Sequence, residues 1–238
     1  MQTEFPTPKR VLFITAHPDD TEFSSGGTIA RWTEAGTEVI YVIVTDGSKG
    51  SNDPEMTPER LARIREEEQR AAARVLGVSE VVFLGYTDGE VYDTLDLRRD
   101  LVRQIRYFRP DLVVTFDPTA RFFGSGRINH PDHIAVGHTT LAAVFPLARD
   151  RLNFPEHERE GLRPHRVLDV FLVGSNEPNF AVDITDTIER KIEALACHRS
   201  QIGSREELAE YIRQRARLMA EGTPYEYAER FRRIVLPG

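Results

Sequence analysis

VLFITAHPDDTE, residues 11–22, is an apolar, β-rich run that stops at an imidazole and two adjacent carboxylates. Val11 to Ala16 shows no polar alternation, so it reads as a strand buried on both faces, the kind found in parallel sheets covered by helices. The chain downstream keeps that rhythm. A helical pattern runs from Ser24 to Gly36, and a second apolar strand spans Val39 to Val44, closed by Thr45-Asp46-Gly47. Thr57-Pro58-Glu59 supplies an N-cap, a proline at the first helical position and an acid in the first turn, opening a helix to Leu76 with Gly77 as its stop. Further strands are expected at 81–84, 112–116, 167–173 and, as a short sixth, 180–184. Further helices are expected at 95–108, 132–148, 186–200 and 205–220. Strand and helix alternate with short connections, which predicts an α/β fold: an open, doubly wound, mostly parallel sheet in a single domain over 1–238. Residues 10–175 form its core and 176–238 a C-terminal strand and helical part. The irregular stretches Gly47–Met56 and Arg149–Arg166 are long enough to be read as functional or mobile loops that shape specificity.

The 238 residues are 40% hydrophobic and 29% charged, with a net charge of -7. Such an acidic chain has no general attraction for phosphate backbones, which argues against nucleic acid as a partner. The positive charge is almost all arginine, the lysines being Lys9, Lys49 and Lys191. Cys197 is the sole cysteine, so no intrachain disulfide forms, in keeping with a reducing compartment. No apolar run approaches membrane-spanning length and the polar N-terminus lacks a signal-peptide core, so no membrane partner is expected and the cytoplasm is the expected location.

In a doubly wound sheet, ligands sit beyond the carboxyl ends of the strands. His17-Pro-Asp-Asp20 follows the first strand, Asp46 the second, Asp88 the third, and Asp117 with Asn129-His-Pro-Asp-His133 the fourth. An imidazole and two carboxylates crowded at one strand end are costly unless a cation sits among them. Histidine with carboxylate suits zinc, with iron, cobalt or manganese as possible substitutes. The spacing His17-x-x-Asp20 lets both side chains converge on one ion and leaves Asp19 free to hold a water there. The competing reading is that the Asp pair caps and charges the next helix. His130 and His133 lie on one side of a helical turn; one can complete the metal site and the other can stand beside the substrate. Three protein ligands and an open position make a catalytic rather than a structural zinc site.

AHPDDTE (residues 16–22) together with HPDH (residues 130–133) resembles the LmbE-like (PIG-L) family of zinc-dependent N-acetylglucosaminyl deacetylases. The resemblance covers almost the whole chain, including GGTIA at Gly26–Ala30, the Arg65–Glu68 helix and Ser200-Gln201. It implies a Rossmann-like fold with one Zn2+ per chain, held by His17, Asp20 and His133. It implies Asp19 as general base, His130 as acid or oxyanion stabiliser, and Asp132 as the residue orienting His130 or its neighbours. Arg65 matches a substrate-pocket arginine, against the alternative of a helix-surface salt bridge with Glu67 or Glu68. Tyr211 and Tyr227 are candidates for a tyrosine set against the oxyanion. The implied partner is a small amino-sugar amide, and some relatives form trimers or hexamers, so a homo-oligomer is possible.

Among the remaining residues, Asp88 is expected to contact substrate, Asp46 to shape a turn before glycine, and Asp117 to orient a metal-binding histidine. His138 is read as surface or packing, and His157 and His165 as loop residues without a partner pattern. His198 is read as packing or a helix-end charge, and Cys197 as inert. A rival reading keeps the site but cleaves larger thiol-sugar conjugates. A binding module for a nucleotide or sugar phosphate is disfavoured, since His-Pro-Asp-Asp stands where G-x-G-x-x-G would.

Overall fold

A computed structural model describes residues 6–124 and 126–237. In chain order, β1 (Arg10–Thr15) leads to α1 (Asp20–Glu34), β2 (Glu38–Thr45) to α2 (Pro58–Leu76), and β3 (Glu80–Tyr86) to α3 (Leu95–Phe108). β4 (Leu112–Phe116) is followed by a small hairpin, β5 (Phe122–Phe123) and β6 (Arg127–Ile128), and then by α4 (Pro131–Ala142). The short α5 (Pro155–Arg159) precedes β7 (Asp169–Val173), β8 (Phe180–Asp183), α6 (Ile188–Leu195), α7 (Arg205–Ala220) and β9 (Ala228–Val235).

The main sheet has seven strands in the order β3-β2-β1-β4-β7-β9-β8. β3, β2, β1, β4 and β7 pair in parallel, as the alternation of strand and helix leads one to expect. β1 and β2 are buried beyond their first residue, and β4 is buried throughout. Helices on both faces account for their unbroken apolar sequences. The chain steps outward from β1 to β2 and β3, then returns to the other side of β1 for β4. The crevice between the ends of β1 and β4 is therefore the switch point of the sheet.

Several boundaries differ from the sequence reading. α1 begins at Asp20 rather than Ser24, with Asp20 and Glu22 in its first turn, where acids oppose the positive helix end. α4 ends at Ala142 and gives way to a wide turn over Ala143–Leu147. There Phe145 is extended (φ -142°, ψ 122°), because the ring of Pro146 disfavours the helical region for the residue before it. β9 lies beyond the expected elements. Its AERFRRIV sequence hides a strand behind charge: it inserts antiparallel between β7 and β8, burying Phe231 fully while Arg233 pairs with Asp169 at 2.7 Å. The C-terminal segment thus completes the same sheet. Among the described residues no helix is long and apolar enough to cross a membrane.

Two glycines set helix positions near the site. A Cβ on Gly27 of α1 would come within 2.6 Å of Ile184 Cβ, and one on Gly137 of α4 within 2.5 Å of the Phe116 carbonyl oxygen. The second approach seats α4 directly on the end of β4.

Candidate metal centre

His17 leaves the end of β1, Asp20 opens α1, and His133 sits in the first turn of α4. Although 116 residues separate the two histidines, His17 Nδ1 lies 3.3 Å from His133 Nε2. Asp20 stands beside both, its Oδ2 3.4 Å from His17 Nδ1 and its Oδ1 3.1 Å from His133 Nε2. A tetrahedral ion with bonds of ~2.0–2.1 Å spaces its donors roughly 3.3 Å apart, so the two ring nitrogens and the Asp20 carboxylate suit zinc or a similar divalent cation. The His133 ring stacks on Phe116, centroid to centroid 4.0 Å with planes 5° apart, which fixes its direction.

His17 has a second face. Its Nε2 lies 3.2 Å from Asp132 and 3.1 Å from Asp88. His17, Asp88, His130 and Asp132 also bring one donor atom each within 4.8 Å of one another, as do His17, His130 and His133. On the Nδ1 side Asp20 Oδ2 accepts from the His17 amide at 2.7 Å, while its Oδ1 faces His133 Nε2. Asp132 already accepts from the amides of Gly89 (2.7 Å) and Val91 (3.3 Å), and Asp88 from that of Lys49 (3.0 Å). These buried carboxylates accept a hydrogen bond from Nε2–H, so Nδ1, facing Asp20 and His133, is the nitrogen that would give up its proton to a cation, the usual support for a metal-binding histidine. Asp88, expected against substrate, is 5% exposed and stands behind His17 instead.

The charges follow from this packing. Burial pulls the His17 imidazole down, but the hydrogen bonds of Asp132, Asp20 and Asp88 outweigh it and push it up to about 11. Cation binding must therefore displace a proton. Burial alone would raise Asp20, yet the charge and hydrogen bond of His133, and then those of His17, hold it well below the usual carboxylate range. Asp19 goes the other way. Burial and the Asp20 charge push it up to about 7 against the pull of Arg65.

Asp19 occupies the N-cap position of α1 with φ 90°, but its side chain makes no capping hydrogen bond. The helix-cap reading of this residue is thereby set aside. Its carboxylate instead lies 3.2 Å from the Arg65 guanidinium, which also donates to the carbonyls of Pro18 (2.7 Å) and Gly47 (3.0 Å). Arg65 is 4% exposed, so the alternative of a surface salt bridge with Glu67 or Glu68 does not hold. Glu68 receives the Ser200 amide and hydroxyl (2.8 and 2.6 Å). Gln69, one turn after Arg65 and on the same face, accepts from the Asp19 amide at 2.8 Å. Sequence reasoning passed over Gln69; the i, i+4 spacing from Arg65 was the available signal.

His130 caps α4: its Nδ1 accepts from the Asp132 amide at 3.2 Å. Burial, then the charges of His17 and His133, lower its pKa, and with Nδ1 accepting, Nε2 is the nitrogen that carries the proton. Asn129 ties it in place, accepting from the His130 amide (2.9 Å) and donating to the Ala120 carbonyl (2.8 Å). Asp117, expected behind a histidine, instead accepts from Thr119 and Ser175, bracing the loop after β4.

A cleft of about 390 Å³ opens on Asp20, His130 and His133, with Phe116, Phe123, Arg127, Tyr211 and Arg215 among its walls. It continues into a chamber of about 620 Å³ between α1, α7, β9 and the loop after β7. Tyr211 lines both spaces, whereas Tyr227 is buried with its hydroxyl accepting from Arg217 at 2.8 Å. Neither 47–56 nor 149–166 contributes to these walls. The second stretch is pinned at its start by Arg106, which is buried and donates to the carbonyls of Leu147, Ala148, Asp150, Asn153 and Phe154.

The sequence signature of PIG-L, the GlcNAc-PI de-N-acetylase family, matches residues 12–144, which carry every one of these metal-facing groups. The chain belongs to the PIG-L family. Within it, the chain is 36% identical to the diacetylchitobiose deacetylase of Thermococcus kodakarensis over 94% of its own length and 82% of that protein. It is 29% identical to a probable N-acetyl-alpha-D-glucosaminyl L-malate deacetylase 2 of Bacillus anthracis, covering 83% of each. The N,N'-diacetylchitobiose deacetylase of Pyrococcus horikoshii superposes with a TM-score of 0.88 at 34% identity, over 96% of this chain and 84% of that one. This PIG-L chain therefore shares its fold, and its sequence over most of its length, with deacetylases.

Proposed function

We propose that this protein is a zinc-dependent N-deacetylase that hydrolyses the acetamide of a small N-acetylglucosamine-type sugar. The observation that carries the reading is the triangle of His17 Nδ1, Asp20 and His133 Nε2, with spacings of 3.1–3.4 Å, opening on a cleft. Those three residues would hold the ion. When bound, a zinc ion lowers the pKa of a water and polarises the acyl oxygen. The residues around it supply the rest. Asp19, with its carboxyl near neutrality, is the base: it accepts the water's proton and returns it to the amine nitrogen as the C–N bond breaks. His130, whose Nδ1 is committed to the Asp132 amide, donates from Nε2 to the acyl oxygen as charge develops there. Asp132 and Asp88 keep His17 in the tautomer that presents Nδ1. Arg65 holds the Asp19 carboxylate rather than reaching substrate.

The test pairs elemental analysis of the purified protein with amine release from N-acetylglucosamine and N,N'-diacetylchitobiose, before and after chelation. About one zinc per chain with chelator-sensitive release is the expected result. Zinc without release would move the substrate to larger amide conjugates. A chain that stays metal-free after add-back would end the proposal.

A further inference from the structure

Asp19 holds its backbone at φ 90°, a conformation that a residue with a Cβ keeps only when its surroundings impose it. A chain of buried polar groups meets its amide. The Asp19 amide donates to Gln69 Oε1 at 2.8 Å, and Gln69 Nε2 donates to Glu22 Oε1 at 2.9 Å. Glu22 Oε2 accepts from the Thr21 hydroxyl at 2.9 Å and lies 3.4 Å from His198 Nε2. Gln69, Glu22 and His198 are each 0% exposed. An apolar trio would fill this space at lower desolvation cost, so a function for the polar groups is called for. The chemistry of the amide suggests one. A carboxylate only accepts, so Glu22 dictates that the NH2 end of Gln69 faces it and the carbonyl end faces the Asp19 amide.

We infer that Gln69 is a positioning residue for proton transfer, and that Glu22, backed by His198 from the C-terminal segment, orients it. Gln69 fixes the backbone of Asp19 while Arg65, one turn earlier on α2, fixes its carboxylate. The helix thereby sets both ends of the proposed base from one face. The inference rests on the reading of Asp19 as that base.

The experiment is a double-mutant cycle in zinc-loaded protein, with metal content and thermal melting recorded for every variant. Gln69→Met keeps the length of the side chain and removes the acceptor. It is expected to lower kcat at least tenfold, with KM within twofold and metal content unchanged. In an Asp19→Asn background the same change is expected to cost less than twofold, since its effect passes through Asp19. Glu22→Gln retains an acceptor for Gln69 and is expected to keep kcat within threefold, whereas Glu22→Leu loses at least tenfold. The Glu22 pair carries the test if Gln69→Met does not fold. An unchanged kcat in Gln69→Met, an equal loss in the Asp19→Asn background, or equal losses in the two Glu22 variants would overturn the inference. An Asp19→Asn variant with undiminished kcat would overturn the base reading itself, and this inference with it.

Discussion

Asp19 and Asp20 are neighbours in the chain, yet burial and charge drive them in opposite directions. Asp20 faces His17 and His133 and stays ionised, while Asp19, next to the Asp20 charge, is pushed up to about 7. That divergence suits the roles proposed for them, ligand for Asp20 and base for Asp19, and makes two substitutions distinguishable. Asp19→Asn is expected to keep its metal and lose at least ~10²-fold in kcat, the usual scale of general-base catalysis. His133→Ala is expected to lose the metal. Elemental analysis beside amine-release kinetics checks both, and equal metal loss would refute the division of roles. The pH profile follows with its sign fixed. A base works ionised, so the rate falls as pH drops through the Asp19 pKa. A cation beside it favours the ionised form, placing this acid limb at or below about 7. Replacement by Asn should remove the limb, and a wild-type limb that persists in the variant belongs to another group.

α2 and α4 act as jigs for these side chains. Thr57 caps α2, accepting from the Arg60 amide at 3.2 Å, and from there the helix runs inward to present Arg65 and Gln69 to the loop after β1. α4 is capped by His130 and carries His133 in its first turn, with Gly137 one turn further on against the Phe116 carbonyl. A methyl group at Gly137 would have to push helix and strand apart. Gly137→Ala is therefore expected to lower stability by ~1–3 kcal/mol, the range for overpacking. It should also weaken retention of a metal ion, because His133, a proposed ligand, moves with its helix. Denaturant melts and competition with a chromogenic chelator measure the two effects, and full stability in the variant would contradict the close approach.

At the scale of the molecule, a bound ion would clamp the two halves of the sheet, with β1 and α1 on one side and β4 and α4 on the other. An ion held only by the folded chain stabilises it by about 4 kcal/mol at a thousandfold excess over Kd. Chelation should lower the melting temperature of the wild type and leave that of His133→Ala unchanged; a wild type indifferent to the chelator would argue against the clamp. What the sequence determined by itself is local. VLFITA must be a doubly covered strand, His-Pro-Asp-Asp must follow it, and His130 and His133 must share a helical turn, because each depends on residues within a few positions of one another. Contacts between distant segments were decided by the tertiary structure. It brought His17 to 3.3 Å from His133, turned Arg65 inward to Asp19 rather than outward to Glu67 or Glu68, and set Asp88 behind His17. It paired Glu22 with His198 and found a strand in the arginine-rich segment from Ala228 to Val235. The physical reason is the same throughout: periodicity marks which face of an element is apolar, but the partner of a buried polar group is whatever the packing of other elements brings within hydrogen-bonding reach.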